Sequence, residues 1–580
     1  MKKTKIVATI GPASESEEIL RELFLSGLNV CRLNFSHGSY EEHGAKIGRI
    51  KKLREQMRLP IAIMLDTKGP EVRIEKFEKG AVALKEGELF TLTSREVKGD
   101  EKIVSVSYKS LPNDVKVGDK ILIDDGLVGM KVLEIKDGTD IVCKILNGGE
   151  LKDRKSVNVP YVEVSLPAIS EKDSRDLLFG IENGVDMIAQ SFVRSAQDVL
   201  DARKILDENG GEHIEIIAKI ENQSGVDNIE EILSVADGLM VARGDLGVEI
   251  DVEDIPLVQK RLIAKANRLG KTVITATQML DSMIRNPRPT RAEVTDVANA
   301  ILDGTSAIML SGETASGNYP IEALKTMANI AERTEKALPD EPIISEKNSI
   351  TDAIGRATVS TAQSLNAAAI ITSTSSGYTS KAISKFHPKT SIIAVTTDDR
   401  VYRKLALVWG VVPLLTSKME STDEVIDASL SVSLAAGLVK EGDVVVITAG
   451  IPVGISGTTN MMKVHTLGRV LASGMPIGKG TVYGRAVLAD DISKLKNNFR
   501  EGDILVVRGI ESDLVPFVQK SSGIISEEAG ITSSSAIIGL SLKIPTIVGV
   551  ENAIGVIPDI SNITMTMEGG RIYSGDARIV

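Results

Sequence analysis

A lysine and two carboxylates stand at the ends of two neighbouring apolar runs. Lys219 lies in the run at residues 214–220 with Glu221 directly after it, and Asp245 follows the next run, 238–242. Residues two apart in a strand share a face, so Lys219 and Glu221 are expected to point the same way. Two carboxylates can hold Mg²⁺ and leave its other positions to water and substrate phosphate. A lysine beside the ion would neutralise charge on a transferring phosphoryl group. The pattern predicts phosphoryl transfer, with a surface ion pair as the simpler alternative for any one residue.

A second group of side chains, at the ends of the second and third runs, offers oxygen ligands and positive charge. Its oxygen donors are Asn34, Ser36, Asp66 and Thr67. Oxygen ligands suit a hard cation, and one carboxylate among neutral oxygens favours a monovalent ion over a divalent one. The same ends carry Arg32 and Arg73, whose planar guanidinium groups bind phosphate or carboxylate. We therefore expect a monovalent-cation site beside an anion site.

Hydroxyl groups follow the last two runs. Thr277 stands after the seventh run and Ser311 after the eighth, where either side chain could contact substrate or relay a proton. Capping of the next helix explains both hydroxyls equally well. His37 belongs to the second group by position, but taken alone it is more consistent with a satisfied loop histidine than with catalysis.

These residues require a fold that brings many strand ends together. Eight short runs, rich in Val and Ile and bounded by Gly, Pro, Asn or Asp, are typical of strands buried on both faces. The runs are residues 5–10, 29–33, 61–65, 185–188, 214–220, 238–242, 272–275 and 307–310. Helical periodicity fills most of the intervals between them. Strand and helix alternating eight times predict an α/β fold, a (β/α)8 barrel, in which the loops after the strands form one face.

Other segments interrupt and follow this barrel. The barrel is predicted at 1–69 and 167–340, and the period-two pattern at 70–166 indicates an inserted β-barrel domain, placed to act as a lid that excludes water. A second α/β pattern spans 345–470. Its first strand leads into TSTSSGYT at 372–379, which is typical of a phosphate pocket, although an ordinary capped loop is the simpler alternative. Residues 474–580 are predicted to form an appended β/α domain.

Composition excludes several classes of protein. With 79 acidic and 68 basic residues the net charge is −11, which argues against a nucleic-acid partner. Cys31 and Cys143 lack metal-ligand spacing, so a zinc site or disulfide framework is not expected. The chain contains no apolar stretch of about 18 residues and its first residues are unlike a signal peptide, so no membrane association is expected. These features favour a reduced cytoplasm.

Six segments together resemble the motifs of the pyruvate kinase family. They are RLNFSHG at 32–38, DTKGPE at 66–71, KIEN at 219–222, MVARGDLG at 240–247, ATQML at 276–280 and RPTRAE at 288–293. The resemblance covers about residues 1–470. It implies a glycolytic enzyme that transfers the phosphoryl group of phosphoenolpyruvate to ADP, giving ATP and, after protonation of the enolate, pyruvate.

The resemblance also implies roles for individual residues. Lys219 is similar to the transition-state stabiliser, Glu221 and Asp245 to the Mg²⁺ ligands, and Asn34, Ser36, Asp66 and Thr67 to the K⁺ site, with Glu71 marking K⁺ dependence. Phosphoenolpyruvate contacts are implied for Arg32, Lys219, Gly244, Asp245 and Thr277, and nucleotide contacts for Arg73, His37 and Lys155. For the proton donor to the enolate, Thr277, Ser311 and bound water remain candidates.

Two further features follow from the resemblance. The family's phosphate-binding effector loop aligns with Thr374, Ser375, Ser376, Gly377 and Thr379, and residues 450–458 would close over it. This alignment implies activation by a phosphorylated metabolite. The family resemblance also implies a homotetramer. The tail resembles the mobile, swivelling phosphohistidine domain of phosphoenolpyruvate-using enzymes. Its segment 527–537 matches that domain, except that Ser534 stands where the histidine would be. Without an imidazole the carrier step is absent, so a structural role is expected.

Two rival interpretations remain. One is a metal-dependent pyruvate aldolase or lyase on the same barrel, which would need neither ADP nor K⁺. The other is a non-catalytic metabolite sensor that uses the effector pocket above a decayed barrel, against which the intact Lys219, Glu221 and Asp245 argue.

Overall fold

The computed structural model describes residues 2–162, 164–338, 349–417, 422–450, 457, 459–468 and 470–575. The chain divides into two compact units. The first is Met1–Asn348 with Ser384–His387 and Asp398–Pro413, and the second is Ser349–Ile383 with Pro388–Thr397 and Leu414–Val580.

Eight parallel strands of the first unit close into a ring. In chain order they are β1 (Lys5–Thr9), β2 (Val30–Asn34), β3 (Ala62–Asp66), β4 (Met187–Gln190), β5 (Glu215–Ile220), β6 (Gly238–Ala242), β7 (Thr272–Ala276) and β8 (Ala307–Leu310). Each strand pairs with its neighbours in the sequence, and β1 pairs with β8. The strands are almost entirely buried, as their continuous apolar runs predict. The predicted (β/α)8 barrel is confirmed.

Helices follow these strands where the sequence supplies start signals. Ser170 and Thr290 each form a capping box, with Asp173 and Glu293 as the reciprocal acceptors, which satisfies backbone N–H groups that have no partner within the helix. The α-helices are Glu17–Leu25, Tyr40–Met57, Glu171–Glu182, Ala196–Glu208, Gln223–Asp227, Ile229–Val235, Arg243–Glu249, Ile255–Leu269, Arg291–Leu302, Gly312–Ala315 and Pro320–Thr334. Short 3₁₀ turns lie at Val252–Asp254, Asp281–Ile284 and Glu335–Ala337.

The centre of the barrel is filled by side chains. Residues such as Val7, Met64, Ile217 and Met309 form one buried apolar cluster with Leu407. Leu407 comes from a segment in which the Gly410 amide donates to the carbonyl of Lys3, next to the start of β1. A packed interior leaves the carboxyl ends of the strands as the place for a polar site.

His387 lies near the amino-terminal ends of the barrel strands, and its burial should make the stability of the protein depend on pH. Its ring stacks on Trp409 with centroids 4.1 Å apart, and burial, with the nearby charge of Lys3, lowers its pKa. In the unfolded chain the imidazole of His387 takes up a proton near pH 6.5, whereas in the folded chain it stays neutral at that pH. The free energy of unfolding is therefore highest above pH 6.5 and falls as the pH drops, by up to about 1.4 kcal/mol per pH unit. We expect His387→Asn, which tolerates the local φ of 45°, to show a smaller loss of melting temperature between pH 7.5 and 5.5. Equal losses in both proteins would contradict this assignment.

The insertion between β3 and β4 is all-β, as predicted. Its strands are Ala81–Leu84, Leu89–Thr93, Ile103–Ser105, Lys120–Ile123, Val128–Lys136, Asp140–Ile145, Gly149–Lys152 and Val157–Asn158, with one helical turn at Leu111–Asp114. Six of them form one sheet and the other two a separate pair. One apolar core, including Phe90, Ile121 and Met130, holds them together.

The second α/β segment contains a five-stranded sheet. Its strands, in spatial order, are Val411–Leu415, Ser391–Thr396, Ala369–Ser373, Val444–Ala449 and Met461–Thr466. The helices are Ile350–Ser364, Tyr378–Ser384, Asp399–Lys404 and Thr422–Ala435, with a 3₁₀ turn at Leu405–Leu407. The pairs involving Ala369–Ser373 are parallel, and Met461–Thr466 is antiparallel to its neighbour.

The tail forms its own eight-stranded sheet. Its strands are Val470–Ser473, Met475–Ile477, Thr481–Leu488, Ile504–Val507, Gly523–Ser526, Thr546–Val548, Ser561–Thr566 and Arg571–Ser574, and its helices are Ile492–Asn498, Val515–Val518, Ser534–Leu542 and Ala553–Val556, with a 3₁₀ turn at Ser512–Leu514. Because Val470–Ser473 pairs with Arg571–Ser574, the sheet of the tail includes residues 470–473, whereas the sequence predicted a start at 474.

Candidate active site

A cavity of about 690 Å³ lies at the carboxyl ends of the barrel strands. Its charged lining contains five cationic side chains, Arg32, Lys68, Arg73, Arg154 and Lys219, and five carboxylates, Asp66, Glu71, Glu75, Glu221 and Asp245. Asn34, Ser36, His37, Ser107, Ser191 and Phe192 are among the other lining residues. The cavity therefore brings together ten of the residues singled out in the sequence.

Lys219 is the centre of the buried charge network. Its Nζ lies 2.8 Å from Glu221 Oε1 and 3.2 Å from Asp66 Oδ1, and it donates to Ser191 Oγ at 2.7 Å. Burial disfavours the ammonium form, but Asp66, Glu221 and Asp245 outweigh it and raise the pKa of Lys219. The lysine therefore stays protonated at any physiological pH, as charge stabilisation requires.

Glu221 and Asp245 are the two carboxylates predicted to hold a divalent cation, and both line the cavity. Glu221 is 1% exposed, and its Oε2 accepts a hydrogen bond from the Phe192 amide at 2.6 Å. Burial, together with Asp245 and against the pull of Lys219, raises the pKa of Glu221. A divalent ion would relieve this penalty, so the donors fit Mg²⁺. Among the described residues, no group of three or more His, Cys, Asp or Glu side chains forms a metal site, so water and substrate would have to complete the coordination.

Asp66 at the end of β3 contacts both Lys219 and Arg32, and Arg32 in turn contacts Thr9 of β1. Arg32 Nε donates to Asp66 Oδ2 at 2.6 Å, and another guanidinium nitrogen donates to Thr9 Oγ1 at 2.7 Å. Although burial opposes ionisation, Arg32 and Lys219 lower the pKa of Asp66. The guanidinium of Arg32 is thereby held at the cavity wall, where it can bind an anion.

The predicted monovalent-cation ligands lie on adjacent strand ends. Asn34 and Ser36 line the cavity with Asp66, and the Ser36 amide donates to Asn34 Oδ1 at 3.0 Å. Thr67 is buried behind them, and its carbonyl accepts from Ser191 Oγ at 2.6 Å. One carboxylate among neutral oxygens remains the composition expected for K⁺.

Backbone strain marks the loop after β7. Thr277 and Gln278 have φ values of 68° and 55°, a region that side-chain-bearing residues rarely adopt. Arg243 holds this turn by donating to the carbonyls of Ala276 and Thr277. Thr277 Oγ1 accepts from the Gly244 amide at 2.8 Å, so this threonine is fixed beside the turn that carries Asp245.

Five of the predicted active-site residues do not line this cavity, namely Thr67, Gly244, Thr277, Ser311 and Lys155. Ser311 precedes the helical turn Gly312–Ala315, and its amide donates to Glu313 at 2.7 Å. Lys155 pairs with Asp124 at 2.9 Å, while its neighbour Arg154 lines the cavity instead.

Arg73 and His37 both line the cavity. Arg73 is paired with Glu71, whose Oε2 accepts from Nε at 2.8 Å. The carbonyl of His37 is 2.8 Å from His43 Nε2, so this loop is fixed from behind by the following helix.

The predicted effector loop connects Ala369–Ser373 to the helix Tyr378–Ser384. Thr374 Oγ1 accepts from the Gly377 amide at 2.9 Å, and Gly377 has a φ of 85°. Ser375 and Ser376 are exposed, whereas Thr379 is buried and lies 3.0 Å from Thr459 between hydroxyl oxygens. Of the segment expected to close over this loop, residues 451–456 and 458 lie outside the described residues.

Sequence reasoning missed the end of β4. Ser191 and the Phe192 amide contact Lys219 and Glu221, yet the sequence carries no charged group there. The available signal was position alone, because residues that follow a barrel strand belong to the same face. Thr9, an uncharged residue at the end of β1, was missed for the same reason, and Arg154 was missed although it is charged, because it lies in the insertion and not at a barrel strand end.

Comparison with known proteins then decides the family. The family model described as pyruvate kinase, barrel domain matches residues 1–324, and pyruvate kinase, alpha/beta domain matches 352–465. A pyruvate kinase from Geobacillus stearothermophilus is 53% identical over the full length of both chains. The chain belongs to the pyruvate kinase family.

Other matches agree with this assignment. Pyruvate kinases from Bacillus licheniformis and Staphylococcus epidermidis are 52% and 50% identical, again across the whole of both chains. Membership of the pyruvate kinase family makes the chain a glycolytic phosphotransferase, and neither rival interpretation is favoured. The model described as PEP-utilising enzyme, mobile domain matches residues 499–570, which confirms the resemblance of the tail. Among the described residues, every helix is too short or too polar to cross a membrane.

Proposed function

We propose that the cavity at the strand ends catalyses transfer of the phosphoryl group of phosphoenolpyruvate to ADP, giving pyruvate and ATP. The single observation that supports this most directly is the Lys219 ammonium within 3.2 Å of both Asp66 and Glu221. Phosphoryl transfer needs positioning and charge neutralisation more than covalent chemistry. A permanently charged lysine beside two candidate cation sites supplies both.

Each residue has a proposed role in this reaction. Arg32 and Lys219 bind the phosphoryl group of phosphoenolpyruvate, with Arg32 oriented by Asp66 and Thr9. Gly244 and Asp245, at the start of the helix Arg243–Glu249, bind the remainder of the substrate together with Thr277 of the strained turn. Arg73 and His37 contact the nucleotide, joined by Lys155 from the lid. Thr277, Ser311 or bound water protonates the enolate.

Glu221 and Asp245 are the proposed Mg²⁺ ligands, and Asn34, Ser36, Asp66 and Thr67 the proposed K⁺ ligands. When bound, the two ions would neutralise charge on the substrate and the transferring group. The protein keeps these oxygens in place through the Phe192 amide on Glu221 and the Ser36 amide on Asn34.

An omission assay tests the proposal. Pyruvate formation from phosphoenolpyruvate is measured with ADP, Mg²⁺ and K⁺ each left out in turn. We expect turnover to require ADP and Mg²⁺ and to fall strongly without K⁺. Pyruvate release that persists without ADP would instead favour a lyase, and no release under any condition would favour the sensor.

We further propose cytoplasmic activity as a homotetramer activated by a phosphorylated metabolite. Support for the effector site comes from the exposed hydroxyls of Ser375 and Ser376, together with Thr374, Gly377 and Thr379. The loop precedes the helix Tyr378–Ser384, and small hydroxyl-bearing residues at the start of a helix are typical of phosphate pockets. Substrate saturation curves with and without phosphorylated sugars, at one fixed protein concentration, test this regulation.

The tail is proposed to be dispensable for chemistry. Ser534 donates to Glu528 Oε2 at 2.7 Å, and both the hydroxyl and amide of Ser535 contact the same oxygen. A carboxylate of the domain itself therefore occupies the helix start where a phosphohistidine would stand. We expect a chain ending at Gly468 to keep kcat within roughly twofold of the full-length value, because a separate sheet carries no reacting group. Loss of turnover in a truncated protein that remains folded would contradict this role.

A further inference from the structure

The Ser191 hydroxyl lies between the Lys219 ammonium and two oxygen acceptors, the Thr67 carbonyl at 2.6 Å and Asp66 Oδ1 at 3.5 Å. An ammonium cannot accept a hydrogen bond, so in the 2.7 Å contact with Lys219 the Ser191 hydroxyl is the acceptor. Its own proton is then donated to the nearer acceptor, the Thr67 carbonyl at 2.6 Å, since Asp66 Oδ1 is 3.5 Å away. The Ser191 amide donates to Thr67 Oγ1 at 3.1 Å, and the residue is 2% exposed. Ser191 is therefore a fixed acceptor aimed at Lys219.

The Lys219 ammonium contacts three side chains. Two are carboxylates, Asp66 and Glu221, and the third is Ser191. Glu221 is also a proposed Mg²⁺ ligand, so lysine and metal compete for the same carboxylate. A divalent ion bound to Glu221 would repel the ammonium, which must then rest on its remaining partners.

We propose that Ser191 positions Lys219 for divalent-metal binding. Its hydroxyl, with Asp66, holds the ammonium when a divalent cation takes Glu221. Without this acceptor the lysine would depend more on Glu221 and would oppose the metal. This inference rests on the proposed Mg²⁺ site, and it assigns Ser191 a positioning role that acts through Lys219.

Binding of Mn²⁺ alone, with no substrate present, tests the inference without measuring turnover. Free Mn²⁺ is followed by electron paramagnetic resonance in the full-length protein. We expect Ser191→Ala to weaken Mn²⁺ binding about tenfold, the size expected for loss of one hydrogen bond to a charged group. In a Lys219→Met background the same substitution should change affinity less than about twofold, because the competitor is gone.

The matched control is Ser306→Ala. Ser306 is a buried serine just before β8, at the opposite end of the barrel, where its hydroxyl accepts from the Val273 amide at 3.2 Å. Its loss should leave Mn²⁺ affinity unchanged. Should Ser191→Ala fail to fold, Ser191→Cys retains a weak acceptor and is expected to weaken Mn²⁺ binding by a smaller factor.

Three results would overturn the inference. Unchanged Mn²⁺ affinity in Ser191→Ala, or in Ser191→Cys where only that variant folds, is one. Equal weakening with and without Lys219, which would indicate a purely structural effect, is another. A Glu221→Gln variant distinguishes failure of the proposed metal site from failure of this inference. If Glu221→Gln binds Mn²⁺ as tightly as the wild-type protein, the proposed metal site is wrong and the inference about Ser191 is wrong with it. If Mn²⁺ binding weakens in Glu221→Gln but is unchanged in Ser191→Ala, the metal site stands and only the inference about Ser191 is overturned.

Discussion

Replacing Lys219 by methionine is expected to lower kcat by about 1,000-fold or more, the loss that follows removal of a preorganised charge from a buried site. Methionine keeps much of the side-chain length and removes the ammonium that contacts Asp66, Glu221 and Ser191. Because the pKa of Lys219 is raised, the wild-type charge is present throughout the physiological range, and raising the pH should not reproduce the variant. Steady-state turnover at saturating phosphoenolpyruvate and ADP measures this effect.

Lys5→Met is the matched control for this substitution. Lys5 is also a buried barrel lysine, but it lies at the start of β1, where Nζ donates to the Val411 carbonyl at 2.6 Å. Its loss should reduce the melting temperature while leaving kcat near the wild-type value. Turnover that survives in Lys219→Met, with the fold intact by circular dichroism, would refute the proposed mechanism.

The second large effect is expected for Glu221→Gln. The amide keeps the shape of the side chain and an oxygen for the Phe192 amide, yet it removes the charge that would hold Mg²⁺. We expect the Mg²⁺ concentration for half-maximal activity to rise about 100-fold or more, since even changes around metal ligands weaken binding by about 10- to 100-fold. Turnover measured over a wide Mg²⁺ range distinguishes lost affinity from lost catalysis.

Glu215→Gln provides the comparison for this variant. Glu215 begins the same strand that Glu221 follows, and it lies 3.9 Å from Lys404 at the far end of the barrel. Its replacement should not change the Mg²⁺ requirement. An unchanged Mg²⁺ requirement in Glu221→Gln would show that this carboxylate does not hold the metal.

The positions of the barrel strands could be predicted because buried parallel strands leave a local signal. Continuous apolar runs bounded by turn residues matched β1 to β8 within a residue or two at most boundaries. The boundary of the tail was less accurate, since the strand Val470–Ser473 pairs with residues about 100 positions later. Such a long-range pairing has no local counterpart in the sequence.

The site residues also divide into those with a local signal in the sequence and those without one. Charged residues at strand ends, such as Lys219, Glu221 and Asp245, could be selected from residue type and position, and the structure brings all three to one cavity. The cavity residue Ser191 was missed, since a serine has too many ordinary uses to be informative by itself. Conversely, Lys155 was selected by resemblance, but in this structure it pairs with Asp124.

The sequence alone determined the class of fold, the family and several of the charged groups that line the cavity, among them Lys219, Glu221 and Asp245. Those properties depend on residue type and local periodicity. Only the tertiary structure decided which acceptors share the Lys219 ammonium and how Thr277 is held at a positive φ. The physical reason is that hydrogen bonds and desolvation depend on distances between strand ends that lie far apart in the chain, and these distances exist only after the barrel has closed.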